Sequence, residues 1–171
     1  NKNGIPGVLI HKVNSSKTTI LEKLSTANKQ IEICLQDDNL YIAQYGLDPL
    51  TKGSSIAQIK ASQTSMEQQN IIYNSTENDL GSLKCSFEAD KLYFIKTSRS
   101  EEGKVTYDAA ELDVKTKDVQ ILSDIRFATN LVKMDGKLLL PYQNIHYVLK
   151  GQNNLTQFDK LKAKTEEDTV E

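Results

Sequence analysis

Tryptophan is absent from this 171-residue chain, and cysteine, histidine and methionine occur only twice each. Two cysteines are too few for the disulfide framework that staples small secreted scaffolds. The two histidines, His11 and His146, stand far apart in sequence with no His-Glu-x-x-His between them, so no metal site is expected. Three prolines and eight glycines exclude collagen-like and low-complexity chains. No apolar run approaches the roughly 20 residues that a membrane-spanning helix needs, and no membrane insertion is expected. Neither sign of charge dominates: 21 basic and 23 acidic side chains are interleaved, for a net charge of −2. A duplex nucleic-acid binder needs a basic face and an anionic membrane attracts a polybasic cluster, so no nucleic-acid partner is expected either. Gly-x-Ser-x-Gly, Ser-x-x-Lys and a phosphate-binding P-loop are all missing. The chain therefore offers no catalytic residue, no cofactor site and no metal ligand set. No enzyme is expected, and the question stays open only if this is one part of a larger chain.

What is present is a long-period pattern. The segments at 31–45, 82–97 and 130–143 share one layout: an alternating apolar run, an acidic turn, then an apolar strand opening on Leu40-Tyr41, Leu92-Tyr93 or Leu138-Leu139. The three leucines are 52 and 46 residues apart, the length of a β-propeller blade rather than of a helical repeat. A second hairpin type alternates with the first. It reads Val8–Val13 with Thr18–Leu21, Ala110–Val114 with Val119–Leu122, and Ile145–Leu149 with Leu155–Phe158, with a weaker copy from Ile56 to Ile72. Half a unit followed by three four-stranded units is the order that results. One domain over residues 8–159 is predicted, with a flexible lead-in at 1–7 and a charged tail or linker at 160–171. The sequence opens on Asn1 and is compatible with a piece of a longer polypeptide.

In its Asp38–Ile42, Asp90–Phe94 and Leu112–Thr116 segments the chain resembles β-propeller repeat proteins of the generic bacterial kind, with a turn–Leu–Tyr–apolar second strand. It lacks the Trp-Asp pair of WD40 blades and the kelch double glycine, so no subfamily or subfamily binding residue carries over. The resemblance implies an all-β fold, a partial propeller or propeller-like stack of antiparallel four-stranded blades. Closed propellers need at least four blades, so a larger ring or a completing segment or chain is implied. The alternative is α+β, with helices near 18–31 and 55–71, because Ile20, Leu24, Ala27 and Ile31 fall at helical spacing.

The acidic residues Asp37, Asp38, Asp90 and Asp135 are read as turn formers, since Asp tolerates left-handed backbone and bonds its own main chain. Cys34, between Ile33 and Leu35, and Cys85, in phase with Leu83 and Phe87, point to opposite strand faces. Two free thiols are therefore expected, with a single bridge in a secreted chain as the alternative, and the compartment stays open. Three glycosylation sequons, at Asn14, Asn74 and Asn154, fall in predicted turns. The tyrosines are the main aromatic content: Tyr41 and Tyr93 are expected between blades, whereas Tyr45 and Tyr142 lie near strand ends. The insert 46–55 and the loop 98–104 break the repeat. Tyr45, Leu47, Asp48, Arg99, Glu101 and Tyr142 are thus the candidate partner-binding residues, and a protein-interaction scaffold is the expected function. The other readings are the propeller portion of a larger hydrolase and an extracytoplasmic sensor or lipoprotein domain binding sugars or peptides.

Overall fold

The computed structural model describes residues 8–11, 18–21, 29–46, 52–62, 68–77, 79–124, 130–134, 137–142, 145–149 and 158–162. They form strands and turns: β1 (Val8–His11), β2 (Thr18–Leu21), β3 (Lys29–Gln36), β4 (Asn39–Gly46), β5 (Ser54–Lys60), β6 (Asn70–Ser75), β7 (Leu80–Cys85), β8 (Lys91–Arg99), β9 (Val105–Asp113), β10 (Val119–Asp124), β11 (Val132–Met134), β12 (Lys137–Tyr142), β13 (Ile145–Leu149) and β14 (Phe158–Lys162). The strands make one two-stranded sheet, β1-β2, and three four-stranded meanders, β3-β4-β5-β6, β7-β8-β9-β10 and β11-β12-β13-β14. Every pairing is antiparallel. This is the all-β, propeller-like stack of blades that the alternating hairpins imply, with a half blade ahead of three whole ones.

The repeat is real at the level of register. Leu40, Leu92 and Leu138 each sit on the second strand of a blade, opposite Ile59, Leu112 and Leu149 of the third. All three are buried. Turns repeat as well. Ala61 N–H donates to Asp38 C=O at 2.9 Å, and Val114 N–H donates to Asp90 C=O at 2.8 Å, one residue beyond the third strand in each blade. Asp37 (φ 53°) and Asp90 (φ 61°) adopt left-handed backbone in the turns before β4 and β8, a conformation that Asp tolerates better than most L-residues.

Alternation of side chains gives each blade two apolar faces, and neighbouring blades cover one another. Tyr41, Ala43, Tyr45 and Ile56 of the first blade pack on Leu83, Leu92, Phe94 and Leu112 of the second. Tyr93, Ile95, Ala109 and Leu122, on the opposite face of the second blade, pack on Leu131, Leu138 and Leu140 of the third. Tyr41 and Tyr93 thus lie between blades, as their positions predict. Tyr73 of β6 meets Phe94 of β8 with ring centroids 5.3 Å apart. Fully burying one Leu, Ile or Phe contributes about 1.5–3 kcal/mol, so each interface is held chiefly by this interleaving.

Several expectations need correction. Among the described residues of 18–31 and 55–71 no α-helix forms: Thr18–Leu21, Lys29–Gln36 and Ser54–Lys60 are strands. Thr18, Thr19 and Ile20 are β-branched and stiff at χ1, and Ile56, Ala57 and Ile59 find partners in Ala43, Ile42 and Leu40. Cross-strand pairing there outweighs the helix propensity of the Ala-, Gln- and Lys-rich segment. Of the strand expected over Leu155–Phe158, residues 155–157 lie outside the described residues; β14 runs Phe158–Lys162 and pairs Lys160 and Lys162 with Tyr147 and Ile145. Asn74 of the second sequon is exposed but lies within β6, paired with Ser55, rather than in a turn. Asn14, Asn154, Asp135 and the 1–7 lead-in lie outside the described residues.

The largest correction concerns the cysteines. Cys34 and Cys85 form a disulfide with Cα atoms 5.6 Å apart, and there is no free thiol. They do point to opposite faces of their own blades: Cys34 lies across from Tyr41, and Cys85 across from Leu92. In a face-to-face stack, however, the front of one blade meets the back of the next. Opposite orientation is what brings the two sulfurs together across the first interface.

Candidate binding face

Each second strand runs toward the same end of its blade, where it turns into the third. Tyr45 near the end of β4, Arg99 at the end of β8 and Tyr142 at the end of β12 are therefore delivered to one end of the stack. The β8–β9 connection is a tight turn closed by Ser100 N–H to Lys104 C=O at 2.9 Å, and Gly103 takes φ 79° to complete it. Arg99 and Glu101 are exposed there. Leu47 and Asp48 lie outside the described residues.

Tyr45 is placed differently from Arg99 and Glu101: it is 8% exposed and its hydroxyl donates to Glu32 Oε1. Burial, then the hydrogen bond and charge of Glu32, push the Tyr45 phenol well above its ordinary pKa and keep it a proton donor. Tyr45 thus supports the face from beneath, through Glu32, instead of lining it.

Glu32 belongs to a polar row that sequence reasoning missed. Glu32, Ser82 and Asn130 each immediately precede the apolar residue Ile33, Leu83 or Leu131 on the first-strand side of a blade. A β-bulge between Gly81 and Lys84, with Ser82 at φ 45°, takes Leu83 N–H out of regular pairing. Glu32 Oε2 of the preceding blade accepts that N–H at 2.8 Å and lies 3.6 Å from Lys84 Nζ. One interface further on, Leu131 N–H donates to Ser82 Oγ at 2.9 Å, and the Ser82 hydroxyl donates to Asn130 Oδ1 at 2.5 Å. The same clasp is thus used twice: a polar side chain of one blade takes the backbone N–H of the next.

A second network centres on Asp79, which leads into β7. Ser54 Oγ and the Tyr73 hydroxyl donate to its two carboxylate oxygens at 2.6 and 2.7 Å, and Lys96 Nζ lies 3.3 Å away. Burial alone would raise the carboxyl pKa, but the bonds from Ser54 and Tyr73 and the Lys96 charge outweigh it, and Asp79 titrates below its ordinary value. Burial and the Asp79 carboxylate in turn push the Tyr73 phenol up. These carboxylates are fully occupied in holding blades together. Among the described residues no group of His, Cys, Asp and Glu is placed to hold a metal ion. The signal for both networks was faint, because single polar residues ahead of an apolar strand carry no motif until the blades are superposed.

Antiparallel blades with matching register, cross-blade clasps and loops gathered at one end define an all-β, propeller-like stack. No protein-family model matches this sequence, and no curated protein matches it. Among solved structures, the chain is similar to the catalytic domain of the Coprinopsis cinerea GH62 alpha-L-arabinofuranosidase, with a TM-score of 0.42 and 7% identity over 80% of this chain and 54% of that one. The chain thus spans about half the length of that domain.

Proposed function

We propose that this chain is a protein-recognition scaffold, forming part of a propeller-like ring and presenting the loop end of its blades to a partner protein. The observation that supports this reading is the contrast between frame and loops. Glu32, Ser82 and Asp79 spend their hydrogen bonds on joining blades, and Cys34–Cys85 ties the first two covalently. Arg99 and Glu101, on a short turn anchored to that frame, stay exposed. Rigid frames with exposed polar loops lose little entropy on binding, which suits them to recognition.

The disulfide favours one refinement. Structural disulfides form and persist chiefly in oxidising compartments, which supports an extracytoplasmic setting for this recognition. The test is affinity capture with the immobilised chain beside its R99A/E101A variant, followed by identification of what is retained. The reading expects a discrete protein held by the first and lost by the second. Equal retention by both would remove the loop end from the contact.

A further inference from the structure

Of the three sequons, Asn74-Ser75-Thr76 is the one that falls within the described residues. Its asparagine lies on β6, the last strand of the first blade. Ser75, the final residue of β6, pairs with Ser54, the first of β5, so the sequon stands where β4 turns into β5, at the loop end. Asn74 closes a cross-strand row with Gln44 and Ser55, on the blade face opposite Ala43, Ile56 and Tyr73. Gln44 and Ser55 are half-buried and Asn74 is exposed, so the row opens to solvent as it runs outward. The residues on either side are engaged. The Tyr73 hydroxyl donates to Asp79 Oδ2 at 2.7 Å, and Ser75 Oγ accepts Glu77 N–H at 3.2 Å. The Asn74 side chain has no bonding partner among the described residues. Thr76, which supplies the hydroxyl that the acceptor motif requires, is exposed just past the strand.

We infer that Asn74 is an acceptor for an N-linked oligosaccharide. The inference rests on the extracytoplasmic setting read from Cys34–Cys85, because sequons are used in secreted chains, in the oxidising lumen where disulfides form. In the transfer, Asn74 Nδ2 attacks the anomeric carbon of a polyprenyl-pyrophosphate-linked oligosaccharide. The carbon–nitrogen bond forms and the carbon–oxygen bond to pyrophosphate breaks. The lipid pyrophosphate leaves with the electron pair, the amide loses one proton, and nothing is oxidised or reduced. The sugar hangs from the last strand of the first blade, whereas Arg99 and Glu101, assigned to the partner, belong to the second. A bulky, solvated group at this point also hinders edge pairing by β6, where Ile71 is 39% exposed.

The test uses the full chain secreted from a eukaryotic cell. Trypsin puts Asn14, Asn74 and Asn154 on separate peptides. Peptide-N-glycosidase in heavy-oxygen water turns each glycosylated Asn into a labelled Asp, and mass spectrometry reads the occupancy. Most copies should carry sugar at Asn74. N74Q and T76A should lose it and T76S should keep it. After deglycosylation, all three variants should unfold at the midpoint of the unaltered chain, because the substituted side chains are exposed. A bare Asn74 in the secreted chain would overturn the proposal. So would sugar confined to copies in which Cys34 and Cys85 are free thiols, since the acceptor would then belong to misfolded chains. Thiol labelling of the same sample separates this inference from the reading beneath it. A closed bridge with a bare Asn74 counts against the acceptor alone, and an open bridge with a bare Asn74 counts against the extracytoplasmic setting as well.

Discussion

Removing the Cys34–Cys85 bridge should cost about 4 kcal/mol of stability. The bridge closes a sequence separation of 51 residues. In the chain-entropy treatment, a crosslink of that span withdraws about 14 cal/mol/K from the unfolded ensemble, or about 4 kcal/mol at 25 °C. Losses of native disulfides are typically about 2–5 kcal/mol, so the expected value lies within the usual range. The bridge joins β3 to β7, so the stabilisation belongs to the first blade interface. The assay is urea unfolding of the oxidised chain and of C34A/C85A. With a slope of about 2 kcal/mol/M, the midpoint should fall by about 2 M. Reduction of the unaltered chain should move the midpoint in the same direction. A loss below about 1 kcal/mol, or two thiols reacting with Ellman's reagent in the unreduced native chain, would refute the reasoning.

Two further predictions concern the polar networks. Asp79 has a lowered pKa in the fold, so its contribution is present above the unfolded carboxyl value near 4 and is lost as the pH falls through the lower folded value. Unfolding midpoints measured from pH 6 to pH 2 should therefore drop more steeply for the native chain than for D79N, and equal slopes would contradict the assignment. Glu32→Ala leaves the buried Leu83 N–H and the Tyr45 hydroxyl without their acceptor, at about 1–3 kcal/mol for each group left unpaired, whereas Glu77→Ala at an exposed site should be close to neutral. Similar denaturation midpoints for these two variants would show that the clasp does not hold the blades.

The blade plan was legible because two periodicities reinforce each other. Alternation within Ile31–Leu35 and the continuous apolar run Leu92–Ile95 mark strands, and the recurrence of Leu40, Leu92 and Leu138 marks equivalent strands. The acidic turns were legible from Asp37 and Asp90, whose left-handed backbone follows from local chemistry. The disulfide was not, because the orientation of Cys34 and Cys85 was judged within one sheet while the pairing is decided between two. Tyr45 looked like a rim residue from its place at a strand end. Only the cross-strand neighbour Glu32, 13 positions away in sequence, turns it into an internal support. The Glu32–Ser82–Asn130 row was invisible for a related reason: a one-residue bulge in β7 shifts the count between blades, so the equivalence cannot be read from spacing.

The claim that matters most is that each blade shields the inner strand of the one after it. Alanine substitutions at Ile33, Leu83 and Leu131, with stability read from denaturant unfolding, test it at three matching positions. Leu83→Ala and Leu131→Ala should each cost about 2–5 kcal/mol, and Ile33→Ala about 0.5 kcal/mol or less. Equal costs at all three positions, or the largest at Ile33, would contradict the stacked arrangement.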